Sequence, residues 1–585
     1  MNKITLYTLF FSVFFIAITF AQEEKFEYKP RPKEFEFVYH KGDSIIPLKT
    51  PKATDPESRL VFQSKIPYPI IFIHGLMSDS ETWNTSTNFF DTQFGFTFGG
   101  RFDFCLNADN NHTLANKNFY PTPNADIAAF EPSIGNGDYY YVNFNVKVNG
   151  AFGTDVLSNQ AAVAKQGAAL KKAVERVLQI TGKDKVILVG HSMGGLCSRE
   201  YIQNPANWQA DGSHHVAKFL TAGTPNGGSN SSDNPIGIFT PVDVRSEAIR
   251  DLKMTYYYSG EGSHYLFGGK EVITSTSMND NSSSPDFYNV DINCNGIIES
   301  TTNITGLNQR PLDNLIDFSN IAGRITDFWG SNITTDGIVP EPSSKLNNYY
   351  PSLTYPAKMF YFNSGYDLIE NHTELPGYYN LIMQGLDEPN FKELAYQIAI
   401  NTQYTGFDTV QESTSADDTD FYKISITDNM NANVVVSGFG SGSVAILNSA
   451  GTIIGTAQNS SGGSINFTRA LAAGTYFLRL TTTAPSASSY LTPYTFIVNA
   501  TLSNPENQLE DIRFYPNPVT STLNIENIAF EKATISNIVG QKIAELKSDG
   551  IQNHQTIDMT NFSKGIYLIT LKKENQTKTI KIIKE

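Results

Sequence analysis

Lys185-Val-Ile-Leu-Val189-Gly190-His191-Ser192-Met193-Gly194-Gly195 is the stretch that decides the fold. Val186–Val189 is a short apolar run of the kind shown by a strand buried on both faces. Gly190-His-Ser-Met-Gly194 follows without a spacer, and Gly195-Leu-Cys-Ser-Arg-Glu-Tyr-Ile202 can continue as a helix. A G-x-S-x-G pattern between a strand and a helix is the setting of a nucleophile elbow. That sharp turn leaves the serine hydroxyl standing clear, and small residues two positions to either side let the backbone bend. Upstream, Pro69-Ile-Ile-Phe-Ile73 reads as a second buried strand, and the Ala-rich Gln160–Ile180 has helical spacing. Strand, helix, strand in that order predicts an α/β domain over residues 61–400, a mostly parallel sheet flanked by helices.

Phe72-Ile-His-Gly-Leu76 closes the upstream strand. Acyl transfer places negative charge on an oxygen in its tetrahedral intermediate, and backbone N–H groups fixed in a tight loop stabilise that charge without reorganising. Leu76 and Met193 are the candidate donors. With Gly223-Thr-Pro-Asn-Gly-Gly-Ser229, these motifs resemble the α/β-hydrolase family, in particular its secreted bacterial lipases and the related GPI inositol-deacylase-like group. Asn226 stands where the lipases usually carry His, in a loop that supports the sheet edge rather than the chemistry. The resemblance implies a serine hydrolase acting on carboxylic esters, lipid esters above all, through an acyl-enzyme intermediate and with no cofactor required.

A serine hydroxyl is a poor nucleophile until a base takes its proton, so a histidine and an orienting acid are needed. Chain order in this fold is Ser, acid, His. His40, His74, His112 and His191 precede Ser192 and His554 lies near the C-terminus, leaving His214, His215, His264 and His372. Asp336-Gly-Ile-Val-Pro340 resembles the acid turn of the lipases, and only His372 follows it within residues 61–400. The candidate triad is Ser192, Asp336 and His372, with Asp313, Asp317 and Asp327 as rival acids.

Two insertions part the strands. Phe89, Phe90, Phe94, Phe96 and Phe98, a Gly99-Gly100 turn, then Phe102 and Phe104 predict an alternating hairpin with a shared greasy face, a candidate acyl-chain surface. Asn230–Arg324 lies where lipases keep lid or cap segments. Within it, Asp291, Asn293, Asn295 and Glu299 match positions of a calcium loop with Gly296 at the sixth, although Thr302 replaces the bidentate Glu at the twelfth. This is a candidate structural calcium site. A second would need acids near Asp313 or Asp317 and Glu374.

Both ends carry export signals. Residues 1–21, with Lys3, an apolar run from Tyr7 to Phe20 and Ala21 before Gln22, have the anatomy of a signal peptide. Residues 22–60, broken by five prolines, read as a loosely held extension. After about residue 400 helical periodicity fades into short strands, predicting two small β-sandwich domains, 401–505 and 511–585. Asp418-Thr-Asp-Phe-Tyr422, Ala473-Gly-Thr-Tyr-Phe477 and Tyr494-Thr-Phe-Ile-Val498 resemble the bacterial pre-peptidase C-terminal domain, implying surface or polysaccharide contact, or a spacer. Phe514-Tyr-Pro-Asn-Pro518, the turn at Gly540-Gln541 and Gly565-x-Tyr567-x-x-x-Leu571 resemble the type A sorting domain of type IX secretion, implying delivery across the periplasm to the surface or the medium.

Length and composition agree with several folded domains. The chain has 585 residues, 40% hydrophobic and 17% charged, about four ordinary domain lengths. With 43 Lys+Arg against 58 Asp+Glu, a net −15, it offers no basic surface to a phosphate backbone, which argues against nucleic-acid binding. Cys105, Cys197 and Cys294 have no C-x-x-C spacing and allow one bridge at most, Cys105 to Cys294 among them. The reading is a secreted serine ester hydrolase. The competing class is a surface-binding or adhesion protein that uses a hydrolase-like scaffold.

Overall fold

A computed structural model describes residues 37–41, 44–47, 62–106, 128–229 (without 133, 148, 154 and 155), 247–252, 307–410 (without 327–328, 330 and 365–369), 417–502 (without 487) and 512–585 (without 527–529, 549–553 and 574–575). The signal peptide, the calcium-loop candidates Asp291, Asn293, Asn295 and Glu299, Cys294 and the rival acid Asp327 lie outside the described residues.

The first domain runs β1 (Phe37–Lys41), β2 (Ser44–Pro47), β3 (Ile70–Ile73), α1 (Asn84–Phe94), β4 (Phe98–Cys105), β5 (Ala128–Pro132) and β6 (Tyr139–Asn143). It continues α2 (Val156–Asn159), α3 (Val163–Thr181), β7 (Val186–His191), α4 (Met193–Gln203), β8 (Val216–Ala222), α5 (Glu247–Leu252), β9 (Asp317–Thr326), β10 (Asn332–Ile333), α6 (Glu341–Ser344), β11 (Lys358–Ser364), α7 (Glu370–Glu374) and α8 (Tyr379–Gly385). The sheet order is β10-β9-β8-β7-β3-β6-β4-β5-β1-β2, with β11 also on β9. Pairing is parallel from β4 through β6, β3, β7, β8 and β9 to β11 and antiparallel at the edges.

Every residue of β3, β7 and β8 is buried, as parallel strands covered on both faces must be. Helix α3 buries Ala169, Leu170, Ala173, Val174 and Val177, a stripe of helical spacing, and stops at Gly182 in the left-handed region (φ +65°). That stripe joins Ile71, Ile73, Val142, Leu188, Tyr201 and Phe219 in one core. Each Val, Leu, Ile or Phe side chain among them contributes about 1.5–3 kcal/mol on burial.

Two expectations need correction. The phenylalanine-rich segment is not a hairpin: Phe89, Phe90 and Phe94 lie on α1, which ends at Gly95 (φ +67°), and β4 pairs in parallel with β6. Gly99 sits inside β4, where a Cβ would fall 2.2 Å from the Tyr140 ring, so this glycine answers a close approach and not a turn. Phe89, Phe90, Phe96, Phe102 and Phe104 are core, which removes them as an open acyl surface. The 22–60 stretch is not wholly extension: Phe37–Lys41 pairs antiparallel with both β2 and β5. No proline falls between Pro32 and Pro47, which leaves those residues free to pair as strands.

Seven strands follow: β12 (Tyr396–Ile398), β13 (Gln403–Gly406), β14 (Asp418–Ile426), β15 (Met430–Asn448), β16 (Gln458–Leu471), β17 (Gly474–Thr482) and β18 (Tyr494–Leu502). Their order is β12-β14-β17-β15-β18-β13, with β16 on β15. The C-terminal residues form a three-stranded and a four-stranded sheet around their own core of Val519, Leu523, Ile525, Ile535, Ile569 and Leu571.

Candidate active site

Strand β7 ends at His191, and α4 begins at Met193. Between them Ser192 takes φ +51°, ψ −126°, a conformation costly for a residue with a Cβ. Its amide donates to the Ala222 carbonyl at 2.9 Å, and its carbonyl accepts from Gly195 N–H at 3.0 Å. Close packing demands the glycine at 194: a Cβ there would lie 2.5 Å from the carbonyl oxygens of both Ile73 and His74. Met193 supplies the first amide of α4, where helical N–H groups lack intrahelical partners.

The loop after β3 presses on this turn, since a Cβ on Gly75 would be 2.7 Å from Ser192 Cβ. His74 is fully buried; its Nδ1–H donates to Gly75 O at 2.8 Å and its Nε2 accepts from Phe144 N–H at 2.9 Å. Burial holds its pKa below the usual imidazole value, in keeping with that neutral tautomer. Gly75 C=O and Leu76 N–H share one peptide plane, so the His74 bond also orients the Leu76 donor.

His372, on α7, is 5% exposed, and Asp336 is fully buried. Asp336 Oδ2 accepts from His372 Nδ1–H at 2.7 Å, which leaves the Nε2 lone pair free for a proton. Asp336 Oδ1 accepts from Ile338 N–H at 3.0 Å and Val339 N–H at 2.7 Å, and Gly337 at φ +92° makes the tight turn expected of it. Two of the rival acids are committed elsewhere, Asp313 to His214 at 3.1 Å and Asp317 to Lys218 at 2.6 Å.

His191 Nε2–H donates to the His372 carbonyl at 2.9 Å, and the two rings lie 4.9 Å apart, which brings the elbow against α7. Burial, with His372 beside it, keeps His191 well below the ordinary imidazole pKa. A Cβ on Gly223 would lie 3.1 Å from both Asp336 Oδ2 and His372 Nδ1, so all three candidates gather around Ala222-Gly223. Among the described residues no hydrogen bond joins Ser192 to His372. Chain order rules out His74 and His191 as the base, since both precede Ser192; their places inside the two glycine motifs are the sequence signal that they brace the site.

Among the described residues Asp387, Asp418 and Asp420 could hold a cation: all are buried and their ligand atoms lie within 4.8 Å of one another. The Lys358 ammonium sits 2.6 Å from Asp387. Burial and the Asp387 charge push the adjacent Glu388 carboxyl up to about 8. Cys105 and Cys197 are both buried.

Residues 154–348 match the alpha/beta hydrolase fold family, and 67–236 match the PGAP1-like alpha/beta domain. The fold is that of an α/β hydrolase. Similar solved structures include a Listeria innocua gene product (16% identity, 56% of this chain and 96% of that one, TM-score 0.32). A Thermogutta terrifontis thermophilic esterase is 11% identical over 61% of this chain and 96% of its own, TM-score 0.23. The pre-peptidase C-terminal domain of Bacillus anthracis collagenase is 16% identical over 20% of this chain and 99% of its own, TM-score 0.15. No curated protein matches the hydrolase in sequence. Residues 513–585 match the secretion system C-terminal sorting domain, which places the hydrolase at the cell surface or outside the cell and implicates the type IX machinery in its export. No helix among the described residues is long and apolar enough to cross a membrane.

Proposed function

We propose that this hydrolase cleaves carboxylic esters, with lipid esters as its substrate class, through an acyl-enzyme on Ser192. The observation that carries the reading is the His372–Asp336 bond of 2.7 Å set against a serine held at φ +51° between strand and helix. The likeness to PGAP1-like domains and the lipase-type motifs support the lipid class.

In the first half-reaction His372 Nε2 takes the Ser192 Oγ proton as Oγ bonds to the ester carbonyl carbon. The carbonyl oxygen becomes an oxyanion facing the Leu76 and Met193 amides. Collapse breaks the carbon–alkoxide bond, and the imidazolium returns its proton to the departing alcohol. Water, deprotonated by the same Nε2, then attacks the acyl-enzyme and releases the acid with Ser192 restored. Asp336 keeps the proton of the resting imidazole on Nδ1 and stabilises the imidazolium.

The test is turnover of p-nitrophenyl esters of graded chain length, beside phospholipid and glycolipid substrates, by wild type and Ser192→Ala. Saturable hydrolysis that the variant lacks is expected. Equal background rates for both would leave a hydrolase-like scaffold whose work is binding.

A further inference from the structure

We propose that Asn159 is a positioning residue that fixes the oxyanion loop by bracketing the donor Leu76 from its C-terminal side. The inference rests on the oxyanion-hole reading given above. Residues 74–79 carry no strand or helix, and Met77 sits at φ +57°, a region costly for a side chain of its kind, so an outside restraint must hold the loop.

Asn159 supplies that restraint from the last position of α2. It is 4% exposed; its Oδ1 accepts from Met77 N–H at 2.6 Å and its Nδ2 donates to Ser78 O at 2.6 Å. A primary amide offers an acceptor and a donor side by side, which is what a strand-like pair of backbone groups requires. The Met77 bond fixes the peptide plane directly after Leu76 and the Ser78 bond anchors the loop two planes further on, while His74 fixes the plane before Leu76. Leu76 N–H is thereby held from both sides without spending its own donor.

The clamp is itself seated firmly. Ser158, the preceding residue, donates to Phe144 O at 2.6 Å and accepts from Leu106 N–H at 2.8 Å, tying α2 to segments following β4 and β6. Past the clamp, Gln160 O accepts from Ala248 N–H at 3.0 Å and Val163 N–H donates to Asp251 Oδ2 at 2.9 Å, both partners being on α5. Helix α5 belongs to the insertion of residues 230–324, so the insertion is bonded to the segment that directly follows Asn159.

The experiment compares wild type, Asn159→Leu and Asn159→Asp by kcat and KM on one p-nitrophenyl ester, by the rate of fluorophosphonate labelling at Ser192, and by thermal midpoint. A displaced rather than deleted oxyanion donor should cost Asn159→Leu roughly 10- to 100-fold in kcat and in labelling rate, with KM within about twofold. Asn159→Asp adds a readout that a packing role would not move. Its protonated carboxyl accepts and donates as the amide does, whereas its carboxylate cannot donate and faces the Ser78 carbonyl. The ratio of Asn159→Asp to wild-type rate should therefore rise as pH falls, and this arm stands even where Asn159→Leu does not fold. Wild-type labelling by both variants, or a ratio flat with pH, overturns the clamp and leaves the triad untouched. A wild-type protein that fluorophosphonate does not label at Ser192 overturns the site reading and the clamp with it.

Discussion

Replacing Asp336 by Asn changes one atom of a buried carboxylate, and its effect can be worked out from three hydrogen bonds. Asp336 Oδ1 accepts from the Ile338 and Val339 amides at 3.0 and 2.7 Å, so the amide oxygen of an Asn stays there and the turn keeps its shape. The NH₂ group then replaces Oδ2, 2.7 Å from His372 Nδ1, and donates where the carboxylate accepted. That turns the imidazole to the tautomer with its proton on Nε2, which cannot take a proton from Ser192, and removes the charge that stabilises the imidazolium. Turnover should fall roughly 10⁴-fold, equivalent to about 5.4 kcal/mol of transition-state stabilisation. The assay is kcat on a p-nitrophenyl ester beside a thermal melt, with the midpoint within about 2 °C of wild type as the control for folding. A loss under tenfold with the fold intact would refute the assignment and return attention to Asp327.

Other outcomes follow from the same contacts. Gly194→Ala would place a Cβ 2.5 Å from two backbone carbonyl oxygens, those of Ile73 at the end of β3 and His74 just beyond it, so stability should drop by about 3 kcal/mol and activity disappear, read by denaturant titration and ester turnover. Glu388, raised to about 8 by burial and by Asp387, holds its proton in the folded protein at pH values where the unfolded chain has lost it. Its contribution is greatest at low pH and declines from about pH 4.5 through about 8. Glu388→Gln should therefore match wild type in thermal midpoint near pH 4.5 and exceed it at pH 8; equal midpoints at both values would refute the shift. Deleting residues 511–585 should leave ester turnover within about twofold in protein made without export while abolishing surface delivery in the native host, scored by fractionation. Continued delivery would show that the sorting signal lies elsewhere.

The elbow was legible in the sequence because strand, turn and helix each have a local signature, and Val186–Gly194 carries all three without interruption. The Asp336–His372 pair was legible from a short turn motif and chain order, and most strands of the C-terminal sheets from their alternation. Three things were not. The phenylalanines of 89–104 alternate well enough to suggest a hairpin, yet Phe90 and Phe94 are also four apart, and Gly95 rather than Gly99-Gly100 makes the break. Neutral, buried His74 and His191 look like any histidine until their carbonyl partners are known. The acidic cluster joins Asp387 to Asp418 and Asp420 across more than thirty positions, and Lys358, nearly thirty positions before Asp387, completes it. Only tertiary pairing brings those charges together.

The central claim, that Ser192 is the nucleophile, is tested most directly by mapping a covalent adduct. After brief exposure to a fluorophosphonate, peptide mass spectrometry of the folded protein should place one phosphonyl group on Ser192, with none on Ser192→Ala and a much slower reaction in His372→Ala. An adduct on another residue, or equal labelling of the Ser192→Ala protein, would contradict it.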